Sequence, residues 1–247
     1  MVFNEFDEKV NGINKELRAS FPDQPWAWKE EWAIGRITDT LEAGWRWGIL
    51  FFSLFIHVAA WWLAIWTEHV ITLTPLLLLT AAFLVKWIQG IRRHAKYGNS
   101  VLEMDTVPGL LGETFSGTLE IAAFPLLREG VKIIVHCESR YHGSGRGDSS
   151  RRTPLWYHSY FVVENETIVR NDRRIIPISF KLPKHNEIKD TSLETKFIIN
   201  KRSVCWTLEV VSEFPGIDFS TFFEFPVFHV KDPALVLHKK DRPTNPY

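Results

Sequence analysis

Residues 203–213 read SVCWTLEVVSE, and their apolar side chains recur at every second position. Alternation with a period of two is typical of a β-strand with one buried face. The apolar face carries Val204, Trp206, Leu208 and Val210, and the other face carries Cys205, Thr207, Glu209 and Val211. The stretch therefore predicts a strand on the core of a β-rich domain.

Similar short runs surround this stretch, and Gly, Pro, Asn and Asp separate them as turn signals. No helical period intervenes beyond Gly98, so the pattern predicts an antiparallel β-sandwich over residues 97–231, followed by a polar tail over 232–247. The candidate strands are Val101–Asp105, Thr114–Ile121, Val131–Tyr141, Leu155–Glu164, Arg174–Leu182, Lys196–Ile199, Ser203–Glu213 and Asp218–Val230.

The series GETFSGTLEI, REGVKIIVHCESRY, RIIPISFKLPKH and RSVCWTLEVVSEFPGIDFSTFFEFPVF resembles the strand order of arrestin-like sandwiches. The similar features are a glycine in an early strand, a strand end with Phe180, Leu182 and Pro183, and a later strand with Trp206 and Leu208. The resemblance covers roughly residues 101–230 and implies an immunoglobulin-like fold. No phosphate-sensing or activation residue of that family has a counterpart here.

Two apolar runs precede this domain and predict a helical hairpin over residues 46–96. Residues 47–66, WGILFFSLFIHVAAWWLAIW, carry no formal charge, and 20 residues of helix span roughly 30 Å. A second run over about 70–88 follows after only Thr67, Glu68 and His69. We therefore expect two transmembrane helices, which makes the predicted fold class a membrane-anchored α+β chain. The alternative is a helical hairpin buried in a large core.

Aromatic and basic residues flank these runs as they flank membrane spans. Nine of the 11 tryptophans lie within the first 87 residues. The short connection carries Glu68 and His69 while basic residues lie at the outer ends, which predicts a multi-pass protein of the bacterial inner membrane with both termini in the cytoplasm. The predicted interface residues are Trp45, Trp47, Trp62, Trp66, Trp87, Arg92 and Arg93.

Residues 1–45 form a predicted amphipathic amino-terminal arm. Phe3, Phe6, Val10, Ile13 and Leu17 recur at helical spacing. We expect the arm to pack against the sandwich or at the membrane surface, and the alternative is a helix that binds a partner.

The box PWAWKEEWAIGRI, from Pro25 to Ile37, followed by a helical hairpin resembles a family of uncharacterised bacterial membrane proteins. The matching positions are Trp26, Trp28, Trp32, Gly35 and Arg36. The resemblance implies a bacterial inner-membrane protein with no assigned chemistry.

The charge balance excludes some classes of partner. The chain has 29 basic and 29 acidic residues, whereas nucleic-acid-binding domains usually show a basic excess. Two cysteines in 247 residues do not make a disulfide scaffold. We also find no phosphate-binding loop, dinucleotide fingerprint, zinc-protease motif or nucleophile elbow. These observations predict no nucleic-acid partner, no cofactor and no catalytic residue.

His57 is the candidate functional residue inside the apolar run. An ionisable group in a membrane span by default indicates function, such as a proton relay or a haem ligand. Alternatively, its neutral ring bonds a threonine across the hairpin. His136 and Cys137 are adjacent and point to opposite faces of a strand, so we expect no metal site there. We interpret Cys137 and Cys205 as core or boundary residues.

Two surfaces are candidates for protein interaction. The loop GSGRGDSSRR, residues 143–152, is polar and locally basic and contains Arg146, Arg151 and Arg152, although a plain solvated connection explains it as well. The aromatic strand that begins at Phe219 and includes Phe222 is the second, together with exposed sheet edges.

The expected function is a non-enzymatic, membrane-tethered interaction module or an accessory subunit of a membrane complex. Its expected partners are the lipid bilayer and other membrane subunits or a second copy of itself. The alternative is an oligomeric or partner-dependent transport or redox unit in which His57 takes part. A hydrolytic sandwich lacks a recognisable nucleophile and base.

Overall fold

The computed structural model of the protein describes residues 12–39, 51, 54–59, 61–62, 81–82, 85, 88, 92, 96–122, 130–141, 151–184, 194–199, 202–213 and 218–241. The helices are α1 (Lys15–Ser20) and α2 (Glu30–Ile34). The strands are β1 (Arg36–Thr38), β2 (Val101–Met104), β3 (Thr106–Val107), β4 (Gly109–Leu110), β5 (Thr114–Ala122), β6 (Val131–Tyr141), β7 (Arg151–Val162), β8 (Ile168–Arg170), β9 (Arg173–Lys181), β10 (Lys196–Ile199), β11 (Arg202–Ser212), β12 (Phe219–Phe225), β13 (Val227–Phe228) and β14 (Leu237–His238).

Two five-stranded antiparallel sheets share one core. The first sheet has the order β1-β2-β5-β9-β8. The second has the order β10-β11-β6-β7, and β12 pairs with the same side of β11 further along the strand. Strand β11 is the stretch with the alternating pattern, and Trp206 on its inner face is fully buried. Rings from both sheets meet in the core, where Phe115 of β5 lies 4.9 Å from Phe225 of β12.

Residues 12–39 of the amino-terminal arm pack against one side of this core. Strand β1 pairs with β2, and Trp26, Trp28 and Trp32 are all buried. The ring of Trp26 lies 5.5 Å from Phe228. Helix α2 ends at Ile34 and is capped by Gly35, whose φ of 69° is a left-handed conformation that suits glycine and turns the chain into β1. Residues 25–37 of the sequence box are thus part of the folded core.

The predicted transmembrane hairpin is not found in the part of the chain that the structure describes. No helix there is long and apolar enough to cross a membrane. A crossing needs one continuous helix of about 20 residues, and a charge-free run in the sequence does not by itself establish one. In this segment the longest described helical stretch is residues 54–59. The predicted fold class is corrected to a chain whose described part is predominantly β.

Several predictions rested on the hairpin and are corrected with it. These are the bacterial inner-membrane location, the two cytoplasmic termini and the description as a multi-pass transmembrane protein. Trp62 and Arg92 belong to the described residues and are exposed, but no membrane span contains them. Trp45, Trp47, Trp66, Trp87, Arg93 and most of the runs 47–66 and 70–88 lie outside the described residues.

Candidate functional site

Strand β7 is the outermost strand of the second sheet. Its inner neighbour β6 pairs with it from Val131–Val162 to Tyr141–Arg151. Among the described residues, no strand pairs with the other side of β7. Alternate backbone N–H and C=O groups of this strand therefore face outward, which is the arrangement that accepts another strand.

The open edge has a composition that sheet edges usually avoid. Residues 156–162 read WYHSYFV, with no Lys, Arg, Asp, Glu, Gly or Pro. Natural edge strands are commonly blunted by charges, prolines or bulges. Here such features lie only at the ends. A register shift falls beside Pro154 at the start, and a 3₁₀ turn over Glu164–Glu166 follows the strand.

The outer face of β7 exposes two large aromatic side chains. Tyr157 is 59% exposed and Phe161 is 65% exposed. The ammonium group of Lys132 on β6 lies 5.9 Å from the centre of the Phe161 ring, as a cation–π contact. The register places Ser159 between them, in one row with Ile134 of β6. This face offers apolar contacts on either side of a small residue.

The inner face of β7 carries a ladder of three aromatic rings. They lie at the side of the sandwich between β7 and β9, which we call the open side. Trp156, His158 and Tyr160 follow one another at 5.8 Å between ring centres. The ring centre of Trp156 also lies 5.4 Å from that of Trp206 in the core, and this contact holds one end of the ladder against the core. His158 is exposed, whereas Trp156 and Tyr160 are half-buried. The edge therefore has aromatic side chains on both faces.

Tyr160 bridges the two sheets. The backbone N–H of Ser179 on β9 donates to Tyr160 Oη at 3.2 Å. Burial raises the pKa of the Tyr160 phenol to about 12, against the opposing effect of that hydrogen bond. The phenol thus stays neutral and keeps its place at the open side.

The opposite side of the sandwich is closed. The indole N–H of Trp32 donates to the backbone carbonyl of Glu224 on β12 at 3.1 Å, and the hydroxyl of Thr221 donates to the carboxylate of Asp39. Lys29 forms an ion pair with Glu224 at 3.1 Å. The arm therefore covers the β12 edge of the second sheet.

The β9 edge of the first sheet, which faces the open side, is not available for pairing with an added strand. Strand β8 covers only Arg173–Ile175 of β9. Beyond it, Pro177 has no N–H, and the N–H of Ser179 is already bonded to Tyr160. Among the described edges, β7 is thus the long one whose backbone groups are left open.

Opposite charges mark the two ends of the β7 edge. Arg151 and Arg152 begin the strand and are exposed. Glu166 follows the strand and is exposed, and the side chain of Glu164 is 41% exposed while it pairs with Arg174 at 3.6 Å. The edge is therefore basic at its start, uncharged in the middle and acidic at its end.

The structure separates the residues that the sequence put forward for interaction. Arg151 and Arg152 lie on β7, and Arg146 lies outside the described residues. Phe219 is a correction, because it is only 2% exposed and its ring packs 5.1 Å from Tyr97. Phe222 is 50% exposed on the outer face of the second sheet, three strands away from β7.

Sequence reasoning missed Tyr157, Ser159 and Phe161. The run without charges was visible, since residues 156–162 follow Arg151 and Arg152 after only three residues. The exposure of Tyr157 and Phe161 was not visible, since it depends on which face of β7 lies away from the core.

The remaining candidates do not form a chemical site in the described part of the chain. His57 is half-buried among the helical residues 54–59. Cys137 and Cys205 are free and buried, and burial raises the pKa of both thiols, that of Cys137 to about 12. No group of His, Cys, Asp and Glu among the described residues has metal-binding geometry.

Two clefts flank the segment Phe228–Val230 at one end of the sandwich. Their volumes are about 370 and 420 Å³. The larger is lined by Trp26, Leu235 and side chains of both charges, including Glu194 and Lys231. The residues that line the two clefts are of mixed polarity and charge and do not indicate one class of ligand.

The comparisons with known proteins leave the family open. No family model matches the sequence, and no curated protein matches it. The chain is similar to the crystal structure of Spo0M, a sporulation control protein from Bacillus subtilis, at 18% identity and a TM-score of 0.31. The match covers 53% of this chain and 48% of that chain, so it spans about half of Spo0M. Such a likeness carries no functional argument, and the interpretation rests on the geometry of β7.

Proposed function

We propose that this protein is an interaction module that binds an extended protein segment along the open edge of β7. The observation that carries the proposal is the uncharged, aromatic edge from Trp156 to Val162, whose outer side pairs with no strand of the described residues. We thus keep the interaction module that the sequence predicts, with the β7 edge as its binding surface and without the membrane tether.

Strand addition explains why both faces of this edge carry rings. An added strand gains hydrogen bonds from the backbone, and its alternate side chains point to opposite faces. On one face those side chains meet Tyr157 and Phe161, and on the other they meet Trp156 and His158. The partner segment is therefore expected to be apolar at successive positions and to lack proline.

Selection from a random peptide library tests the proposal. The full chain is used to select twelve-residue peptides displayed on phage, which are then measured on a variant carrying Tyr157→Lys and Phe161→Lys. Both positions are more than half exposed, so we expect the variant to retain the fold. We expect selected peptides to bind the variant at least ten-fold more weakly, which is about 1.4 kcal/mol.

Phe222→Lys is the matched control. It places one lysine, against two in the test variant, at a half-exposed phenylalanine on the same face, but three strands away. Peptides should bind this variant as they bind the native chain. Equal binding to all three proteins, or a selection that yields no peptide, would contradict the proposed function.

A further inference from the structure

We infer that the segment received by β7 is β7 of a second copy of this chain, in antiparallel pairing about a two-fold axis at Ser159. The inference rests on the proposed function and names its partner. It is carried by three properties of residues 151–166: the position of the strand's limits, the order of its side chains and the sign of its terminal charges.

The limits of the uninterrupted edge are symmetric about Ser159. Pro154 lies five residues before it, and Glu164, where the 3₁₀ turn begins, lies five residues after it. Within these limits, an antiparallel pair centred on Ser159 uses the edge from Trp156 to Val162 in both copies. Any shifted centre leaves open positions on one side and runs against Pro154 or the turn on the other.

The side chains are nearly palindromic about the same residue. On the outer face, Tyr157 would lie opposite the partner's Phe161, and Ser159 opposite the partner's Ser159. On the inner face, His158 would lie opposite the partner's Tyr160. Aromatic cross-strand pairs stabilise antiparallel sheets, and a small residue at the axis avoids a clash between the rings.

The charges favour antiparallel over parallel pairing. Arg151 and Arg152 begin the strand, and Glu164 and Glu166 follow it. In the antiparallel pair the basic start of each copy lies near the acidic end of the other. A parallel pair would bring arginines near arginines and glutamates near glutamates, which is unfavourable. The two sheets would join into one continuous sheet of a closed, isologous dimer.

Cross-linking of Ser159→Cys in the full chain tests the register. Residues opposite each other in an antiparallel pair lie about 4.5 to 5.5 Å apart at Cα, which suits a disulfide. The native Cys137 and Cys205 are buried and contribute little background. We expect mild oxidation to give a covalent dimer at least ten-fold faster than for Tyr157→Cys.

Tyr157→Cys is the matched control because two copies of residue 157 would lie about 13 Å apart, four residues along the strand. Mixing Tyr157→Cys with Phe161→Cys should restore the cross-link. Equal rates for Ser159→Cys and Tyr157→Cys, or no cross-link in the mixture, would overturn the register.

Sedimentation of the unmodified full chain is the second measurement, independent of any cysteine variant. We expect a concentration-dependent dimer that the variant with Tyr157→Lys and Phe161→Lys weakens at least ten-fold. Exposed apolar residues such as Phe55 and Trp62 offer another route to association, but that route does not depend on Tyr157 or Phe161.

The outcomes separate this inference from the proposed function. A chain that stays monomeric while selected peptides still bind at β7 overturns the self-pairing and leaves the module in place. A monomeric chain that also selects no peptide overturns both. A dimer that is insensitive to the lysine changes overturns the self-pairing at β7.

Discussion

Trp32 shows how a single side chain ties the amino-terminal arm to the sandwich. It is 3% exposed, its indole N–H donates to the carbonyl of Glu224, and the ammonium group of Lys29 lies 4.1 Å from its ring centre. These contacts cover the β12 edge, so the arm behaves as part of the core.

We predict that Trp32→Ala lowers the free energy of unfolding by about 3 to 5 kcal/mol, because it leaves a cavity and removes the hydrogen bond. Urea unfolding of the full chain measures the change. Phe21→Ala, at a position 41% exposed, should cost less than about 1 kcal/mol. A cost for Trp32→Ala as small as that of the control would show that the arm is not part of the cooperative core.

The two cysteine thiols should be unreactive in the folded chain. Burial raises the pKa of Cys137 to about 12 and also raises that of Cys205, so neither thiol ionises near pH 8. We expect Ellman's reagent at pH 8 to find almost no thiol in the native chain and two per chain in guanidinium chloride. A native thiol that reacts like free cysteine would contradict this burial.

Tyr160 makes stability depend on alkaline pH. Burial raises the pKa of its phenol in the folded chain from the ordinary value of 10.0 to about 12, so the unfolded chain loses this proton first as the pH rises. The associated stability is fully present below about pH 10 and is lost as the pH rises towards 12.

We predict that Tyr160→Phe costs about 0.5 to 1.5 kcal/mol at pH 8, through the lost bond to Ser179, and that this difference shrinks between pH 10 and 12. Urea midpoints of both proteins across this range measure it. A difference that stays constant over the range would mean that the phenol does not titrate late in the folded chain.

At the scale of elements, β5 approaches β2 closely at Gly117. A Cβ built there would lie 2.5 Å from the carbonyl oxygen of Glu103, a backbone atom that cannot move aside alone. We expect Gly117→Ala to destabilise the protein by about 1 to 3 kcal/mol in urea unfolding. Ser116→Ala, one position away, should change stability by no more than about 0.5 kcal/mol; equal effects at the two positions would refute the close approach.

Alternating apolar residues predicted the central strands well. The range Val131–Tyr141 coincides with β6, and the range Ser203–Glu213 differs from β11 by one residue at each end. Each of these strands has one buried face, so the alternation of apolar and polar residues predicts where the strand begins and ends. Strand β1 has three residues and no alternation, and its place depends on its pairing with β2 and on Trp32, which bonds to β12. Such a strand follows from tertiary contacts and not from local pattern.

The candidate site was predicted only in part, for a related reason. Arg151 and Arg152 were put forward from their charge, and they lie on β7. Phe219 was put forward because it is aromatic, but aromatic side chains serve cores and interfaces alike, and this one is buried. The face of the strand decides which aromatic residues stay at the surface, since Phe222 on the same strand is 50% exposed.

At the scale of the whole molecule, the two sides of the sandwich differ. The arm closes the side where β1 lies beside β12, and the side between β7 and β9 keeps an open backbone edge with rings on both faces. The balanced charge of 29 basic and 29 acidic residues hides a local order, since the β7 edge runs from basic to acidic. That polarity gives an added strand a preferred direction.

Amide hydrogen exchange along β7 tests the central claim most directly. The dilute full chain is measured with and without a synthetic peptide that has the sequence of residues 153–164. We predict that the peptide slows exchange at the outward-facing, alternate N–H groups of residues 156–162 at least ten-fold and leaves residues 131–137 of β6 unchanged. Exchange at these N–H groups that is the same with and without saturating peptide would contradict the account of β7 as an edge that receives a strand.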